Sequence, residues 1–480
     1  MATSPNHTIT APASRESPLT WQILPPTAAG TAACSRSGAA DPAASLIGRL
    51  PTVAHPEQAR NGGWRARMSV PHPNWPGVPS PDQVTDPGDG HGPLWLDQTL
   101  RSELPGLIEL RRRVHAHPEL GRNESATSAL ILRTLREDGI TARLMPSGTG
   151  VIAEIGSGGS LVGLRADIDG LPIAESTGLP YSSTLPNVSH ACGHDVHLTV
   201  LLGAARALHR AGEHLGGRVR LIFQPAEEVF PGGSHDVIAA GGLDGLSRLF
   251  AVHCDPRLEA GLVGLKDGAI TSTSDVVELH ISGPGGHTSR PHLTTDLVYA
   301  IGTVITGLPA MLSRRLDPRA AAVMVWGAVH SGDAANAIPR DGVLRGTLRM
   351  MDRRSWDLAE PLVKDLVAEL LAPTRATFEL TYRRGVPPVN NDVQSTELMR
   401  TATHRALGPD AVRLAEQSTG AEDFAVFLER VPGSLARLGV WDGVSPRVDL
   451  HSSHFVVDER AVAAGVRLLA HTAVSALQNG

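Results

Sequence analysis

Apolar positions show no sustained period before about residue 95, and from there they fall into two successive rhythms. Residues 1–95 are rich in Pro, Gly, Ser, Ala and Thr, and a run such as Pro71-His72-Pro73-Asn74-Trp75-Pro76-Gly77 cannot build a packed element. This stretch is expected to be a disordered extension, with Met68 as an alternative start and order beginning near Leu94. Leu104 to Val114 has helical spacing, with Pro105 tolerable in a first turn, and Ser125 to Glu137 predicts a second helix.

From Val151 onward short apolar runs alternate with helical patterns. Leu161 to Arg165, Val219 to Phe223 and Arg248 to Val252 predict strands, and Val196 to Ala211 predicts a helix between them. This is the α/β pattern of a mixed or largely parallel sheet. Each strand runs into polar groups: Asp167 and Asp169, then Glu227 and Glu228, then His253. Open α/β sheets place ligands beyond the carboxyl ends of their strands, so these groups are expected to converge.

The rhythm changes over residues 273–386. Strands are expected at Val276 to Ile281, Ala321 to Val329, Val343 to Arg349 and Thr377 to Arg383, with helices at Asp296 to Leu312 and Ser355 to Leu371. The order β-α-β-β-α-β is that of a ferredoxin-like split unit. It reads as an insertion that divides an α/β domain into residues 96–272 and 387–480, because α/β elements resume with Thr396 to Ala406.

Composition narrows the function. At 480 residues more than one domain is expected, and 41% apolar content is ordinary for a globular enzyme. The run of apolar residues needed to span a bilayer is not seen, so no membrane is expected. A net charge of −6 argues against nucleic acid as the main partner. Lys266 and Lys364 are the only lysines among 43 basic residues, which reads as compositional bias, not mechanism. Cys34, Cys192 and Cys254 are odd in number and far apart, as suits a reducing compartment, and no signal-peptide pattern opens the chain. A cytoplasmic protein is expected.

Two polar knots carry candidate chemistry. His190-Ala191-Cys192-Gly193-His194-Asp195-Val196-His197 packs a thiol, three imidazoles and a carboxylate into eight residues, the donor set of a borderline transition metal. Gln224-Pro225-Ala226-Glu227-Glu228 follows an apolar strand, and its paired carboxylates suggest one group to hold metal and one to move protons. A structural zinc site would more often use four Cys/His ligands in paired C-x-x-C spacings, and only three cysteines exist. Cys254 should turn away from the side that His253 presents, as a buried thiol.

With Leu164-Arg165-Ala166-Asp167-Ile168-Asp169-Gly170-Leu171-Pro172 and Gly420-Ala421-Glu422-Asp423-Phe424, these motifs resemble the dinuclear metallo-amidohydrolases. That group includes bacterial N-acyl-amino-acid amidohydrolases, hippurate hydrolase and auxin-conjugate hydrolases, with aminoacylase and glutamate carboxypeptidase as distant relatives. The resemblance covers roughly residues 100–478. It implies a zinc-peptidase-like catalytic domain with an inserted lid or dimerisation domain, and Cys192, His194, Glu228, His253 and His451 as ligands of two divalent ions. Glu227 matches the general base, and Asp169 matches the carboxylate that orients a ligand imidazole; Asp167 is its neighbour. His451 is selected over His454 by its place after Leu450, while His190 and His197 compete as supporting or structural residues. His287, in the glycine-rich turn Gly283 to His292, matches a histidine that reaches substrate in a partner subunit. Asn336 and Arg349 match the positions that hold the substrate carboxylate, a task suited to a guanidinium fork.

The expected protein is therefore a homodimeric hydrolase that splits small N-acyl amino acids into a carboxylic acid and a free amino acid. A thiolate ligand should favour Zn, Mn, Co or Ni over Mg. One rival is a hydrolase with Cys192 as nucleophile, disfavoured because His194 stands on the same loop. The other is a non-catalytic metal-binding scaffold, which would not need Glu227.

Overall fold

Four apolar runs too rich in Val, Leu, Ile and Phe to face water on either side form the parallel centre of an eight-stranded sheet. The computed structural model describes residues 78–478. In spatial order the strands are Ala142–Leu144, Val151–Gly156, Arg218–Gln224, Leu161–Asp167, Arg248–Glu259, Gly433–Trp441, Val263–Leu265 and Val412–Leu414. The third to sixth are mutually parallel, and the antiparallel pairings lie outside them. A mixed, largely parallel sheet is the expected result. The carboxyl ends of the central strands consequently share one edge.

Helices cover both faces, as buried parallel strands require. Leu94–His115, His194–Ala211 and Arg460–Gln478 pack against one another over one face, and Ser234–Ala239 and Phe424–Leu428 cover the other. By length and composition, Arg460–Gln478 and Leu297–Arg315 could cross a membrane; the first is a core helix with 83% of its apolar window buried.

Three boundaries differ from expectation for physical reasons. The first helix starts at Leu94, ten residues early, which leaves Pro105 in its interior. An interior proline costs about 3 kcal/mol. Burial of Leu96, Leu100, Leu104, Leu107 and Ile108 at about 1.5–3 kcal/mol each outweighs it. The strand carrying His253 does not end at Val252 but continues to Glu259. Residues 1–77 of the expected disordered extension lie outside the described residues, but parts of 78–95 are tied to the domain: Gly88 is buried, and Arg112 donates to Pro79 O at 2.7 Å. Asp86 and Asp97 both pair with the fully buried Arg467 guanidinium, each at 2.6 Å.

Residues 275–383 form a separate four-stranded antiparallel sheet in the order Val323–His330, Asp341–Arg349, Asp275–Ser282, Thr377–Arg383. Helices Leu297–Arg315 and Arg353–Leu371 cover one face, and the segment encloses its own apolar core. Asp296 and Asp352 cap these helices by accepting from the backbone N–H of Tyr299 and Ser355. The eight-stranded sheet takes strands from both sides of this segment.

Candidate metal centre

The shared strand edge collects the two polar knots. Asp167 closes its strand, Asp169 lies two residues beyond, and His194 opens a helix aimed back across the sheet. That helix begins after Gly193, whose φ of +85° is the left-handed conformation that favours glycine. A Cβ there would stand 2.7 Å from Cys254 Sγ, so the close approach also requires glycine. Cys254 is fully buried and faces away from the site, as strand alternation implies.

Hydrogen bonds set the tautomers of three histidines. His253 Nδ1 donates to Cys254 O at 2.8 Å and His194 Nδ1 donates to Asp169 Oδ1 at 3.1 Å. Each ring therefore carries its proton on Nδ1 and leaves an Nε2 lone pair. Both lone pairs face Cys192: its Sγ is 3.5 Å from His253 Nε2, and the three donor atoms lie within 4.8 Å of one another. His197 differs. Its Nε2 accepts from the Cys254 N–H at 2.8 Å and its Nδ1 donates to Asp167 Oδ1 at 2.5 Å, so neither nitrogen is free to ligate.

Glu228 and His451 complete the cluster. His451 Nε2 stands 3.1 Å from Glu228 Oε1, and Cys192 lies within ligand distance of both. His454 instead pairs with Ser453 at the surface. Asp169 also accepts from the Glu228 backbone N–H at 3.0 Å, so one carboxylate positions two neighbouring groups. His194 Nε2 is a buried atom with no hydrogen-bond partner, whereas the buried Glu228 Oε1 has His451 Nε2 beside it as an ion-pair partner. Buried polar atoms are ordinarily satisfied, so an orphaned donor atom facing a thiol fits a metal ion.

The electrostatics point the same way. Against burial, Asp167, Asp169 and Glu228 raise His194 to about 10. Burial, then Glu228 and Glu227, push the Cys192 thiol well up, and burial followed by Glu422 and Glu228 raises Glu227. The cluster thus holds protons where a cation could sit. Burial and Arg437 keep His253 well below the usual histidine range, as a neutral ligand.

A second buried network underlies the first and was assigned no role from the sequence. The fully buried Arg165 donates to Gln224 at 2.8 Å, Asp167 at 2.7 Å, Glu422 at 3.0 Å and Asp423 at 3.2 Å. Glu422 and Asp423 also lie beside Glu227, whose Oε1 accepts from the Asp423 N–H at 3.4 Å. The available signal was an arginine inside an otherwise apolar strand. His190 is buried with neither ring nitrogen bonded and belongs to none of the metal-ligating groups.

A cavity of about 490 Å³ opens over the cluster, within the small-molecule range, lined by Cys192, Glu227, Glu228, His253 and His451. Arg349 reaches it from the four-stranded sheet and donates to Thr419 O at 3.0 Å. The structure does not bring His287 or Asn336 to this cavity within one chain. Both are exposed and sit together at a two-residue ladder, where His287 pairs with Ala337 and the Thr288 N–H donates to Asn336 O at 3.3 Å.

Residues 163–475 match the family model described as peptidase family M20/M25/M40. A Rhodococcus jostii protein named as a candidate glutamate–cysteine ligase is 48% identical over 84% of this chain, which spans about half (52%) of that protein's length. An N-acetyl-L-cysteine deacetylase of Bacillus subtilis is 38% identical, with 74% of this chain and 84% of the relative covered. Among solved structures, a Bacillus subtilis protein described as a dinuclear metal binding peptidase of the M20 family superposes with a TM-score of 0.70. It is 34% identical, over 78% of this chain and 98% of its own.

Proposed function

Since this chain belongs to peptidase family M20/M25/M40, and is thereby a metallohydrolase, we propose that it cleaves the amide bond of N-acyl amino acids. The observation that carries this reading is the convergence of His194 Nε2 and His253 Nε2 with Cys192 and Glu228 Oε1, beside the half-buried Glu227. Cys192, His194, Glu228, His253 and His451 would hold two divalent ions of the Zn, Mn, Co or Ni type. Such ions supply Lewis-acid polarisation of a carbonyl and bring the acidity of water towards neutrality.

The protein's own groups do the rest. Glu227 takes a proton from the attacking water at its carboxylate and delivers it to the leaving amine. Glu228 and His194 would hold a cation close to Glu227, and its charge would oppose the carboxylates Glu422 and Glu228 that raise Glu227. Asp169 keeps the proton on His194 Nδ1. Arg349 takes the substrate α-carboxylate as a bidentate fork. His287 and Asn336 act in the site of a second subunit, brought there by residues 273–386 as the dimerising segment, with His287 donating to the developing oxyanion.

The 3.5 Å contact of Cys192 with His253 favours a second reading, a cysteine nucleophile. Burial and two carboxylates push that thiol up, the opposite of what a nucleophilic thiolate needs. One experiment separates the two: N-acyl amino acids assayed after chelation and after Zn or Mn replacement. Activity lost on chelation and restored by metal supports the proposal. Activity that survives full metal removal overturns it.

A further inference from the structure

Four arginines are buried among the described residues, and three are neutralised by carboxylates. Arg111 pairs with Asp195 and Glu459, Arg165 with Asp167, Glu422 and Asp423, and Arg467 with Asp86 and Asp97. Arg437 is the exception. It is 5% exposed, no carboxylate lies within 4.0 Å of it among the described residues, and its Nε has no hydrogen-bond partner. The carboxylates whose charge reaches it, Asp255 and Glu422, are engaged by other arginines: Asp255 by Arg257 at 2.7 Å and Glu422 by Arg165 at 3.0 Å.

Its place on the sheet is equally specific. Arg437 interrupts a strand whose Leu435, Ala436 and Leu438 are fully buried, and it sits in register with His253 on the adjacent parallel strand. Equivalent positions on parallel neighbours present side chains to the same face. Arg437 accordingly lines the same cavity as Cys192, Glu227 and His253. Leaving a buried charge without a counter-charge is costly, so an arginine retained here implies an anion that arrives with the ligand. Arg349 lines the same cavity from the end of a strand of the four-stranded sheet. With the α-carboxylate of a substrate on Arg349 and its amide at the cluster, Arg437 is left to meet a second anion, carried on the acyl part.

We propose that Arg437 binds an anion at the far end of the acyl group, making the preferred substrates half-amides of dicarboxylic acids with amino acids. This rests on the amidohydrolase reading above and names its substrate class. Hydrolysis would release a dicarboxylate and a free amino acid, consuming one water.

The test compares N-malonyl, N-succinyl and N-glutaryl derivatives of one amino acid with the same compounds ending in a primary amide instead of the carboxylate. Metal-replaced wild-type protein should favour the acid over its matched amide by about 10–100-fold in kcat/KM for at least one length, mostly through KM. Arg437→Met should bring that ratio towards one, and Arg437→Lys should keep part of it. Thermal melting gives a second readout. Removing an unpaired buried charge should hold or raise the Tm of Arg437→Met, whereas a structural arginine would lower it. A wild-type ratio near one at every length overturns the inference and leaves the amidohydrolase reading standing, as does an equal loss on acid and amide in Arg437→Met. No hydrolysis of any member by wild type overturns the amidohydrolase reading itself. Should Arg437→Met fail to fold, the wild-type ratio alone decides.

Discussion

The carboxyl edge of the eight-stranded sheet and the loops of the four-stranded sheet hold their polar side chains by opposite means. At the former, Asp169, His194, His197 and Arg165 are buried, and each is bonded from sequence-distant elements. At the latter, His287 is exposed and its ring is held only locally, by the Ser289 N–H and by Ser289 Oγ at 2.8 Å. The lesson is a division of labour. Groups that must hold a donor atom to within a fraction of an ångström are fixed by rigid strands and a surrounding polar network. His287, proposed to meet a substrate in a second subunit, is instead exposed at a two-residue ladder.

The largest test of that division lies on the buried side. Glu227→Gln keeps size and shape but cannot accept a proton. Turnover should fall by about 10²–10⁴-fold, while elemental analysis still finds the metal content of the wild type. Turnover near that of the wild type, with metals bound, removes the proposed base.

Arg165→Leu probes the network beneath. It leaves Asp167, Glu422 and Asp423 buried without their cation, and breaking such a set costs about 3–5 kcal/mol. Denaturant unfolding should show a loss of that size. A loss below about 1 kcal/mol would mean that these carboxylates are carried by other bonds, such as that from Gln224 to Asp423 at 2.7 Å.

The two regions were unequally legible in the sequence. Strands Leu161–Asp167 and Arg218–Gln224 announce themselves as apolar runs because parallel strands are covered on both faces. Strand Thr377–Arg383 and helix Ser125–Glu137 have the expected bounds. Strand Gly433–Trp441 was not singled out, although it lies in the parallel centre, because Arg437 and two glycines break its apolar pattern. The cluster of Cys192, His194 and His253 was legible through the dense polar run His190 to His197 and through the histidine that follows an apolar run. The use of Arg165, Glu422 and Asp423 was not, since nothing local says that residues 257 positions apart share a buried ion pair. His287 and Asn336 lie outside the lining of the cavity within one chain, and nothing local in the sequence says what they meet.

On the exposed side, His287→Ala should lower turnover by about 10²-fold, the scale of one oxyanion donor, with metal content and Tm unchanged. If His287 serves a second subunit, mixed dimers of His287→Ala with Glu227→Gln should regain activity, because one hybrid site has both groups. No recovery in verified mixed dimers confines His287 to its own chain or removes it from the reaction.

The smallest expected effect is the most direct probe of rigid positioning. Asp169 accepts from His194 Nδ1–H through Oδ1 and from the Glu228 N–H through Oδ2. Asparagine has one acceptor oxygen, so Asp169→Asn turns an amide NH₂ towards one of those donors. If it faces His194, the ring must move its proton to Nε2 and lose the lone pair that a metal would use. If it faces Glu228, the backbone that positions that carboxylate is displaced. Either way, competition with a chelator should show metal affinity reduced by about 10–100-fold, the usual cost of losing such a supporting partner. Turnover at saturating metal should largely return, because Glu227 is untouched. Ser289→Ala, which removes the equivalent support of His287, should leave metal affinity alone. Equal affinities for Asp169→Asn and the wild type would mean that His194 is positioned by packing, and the contrast between the two regions would lose its electrostatic basis.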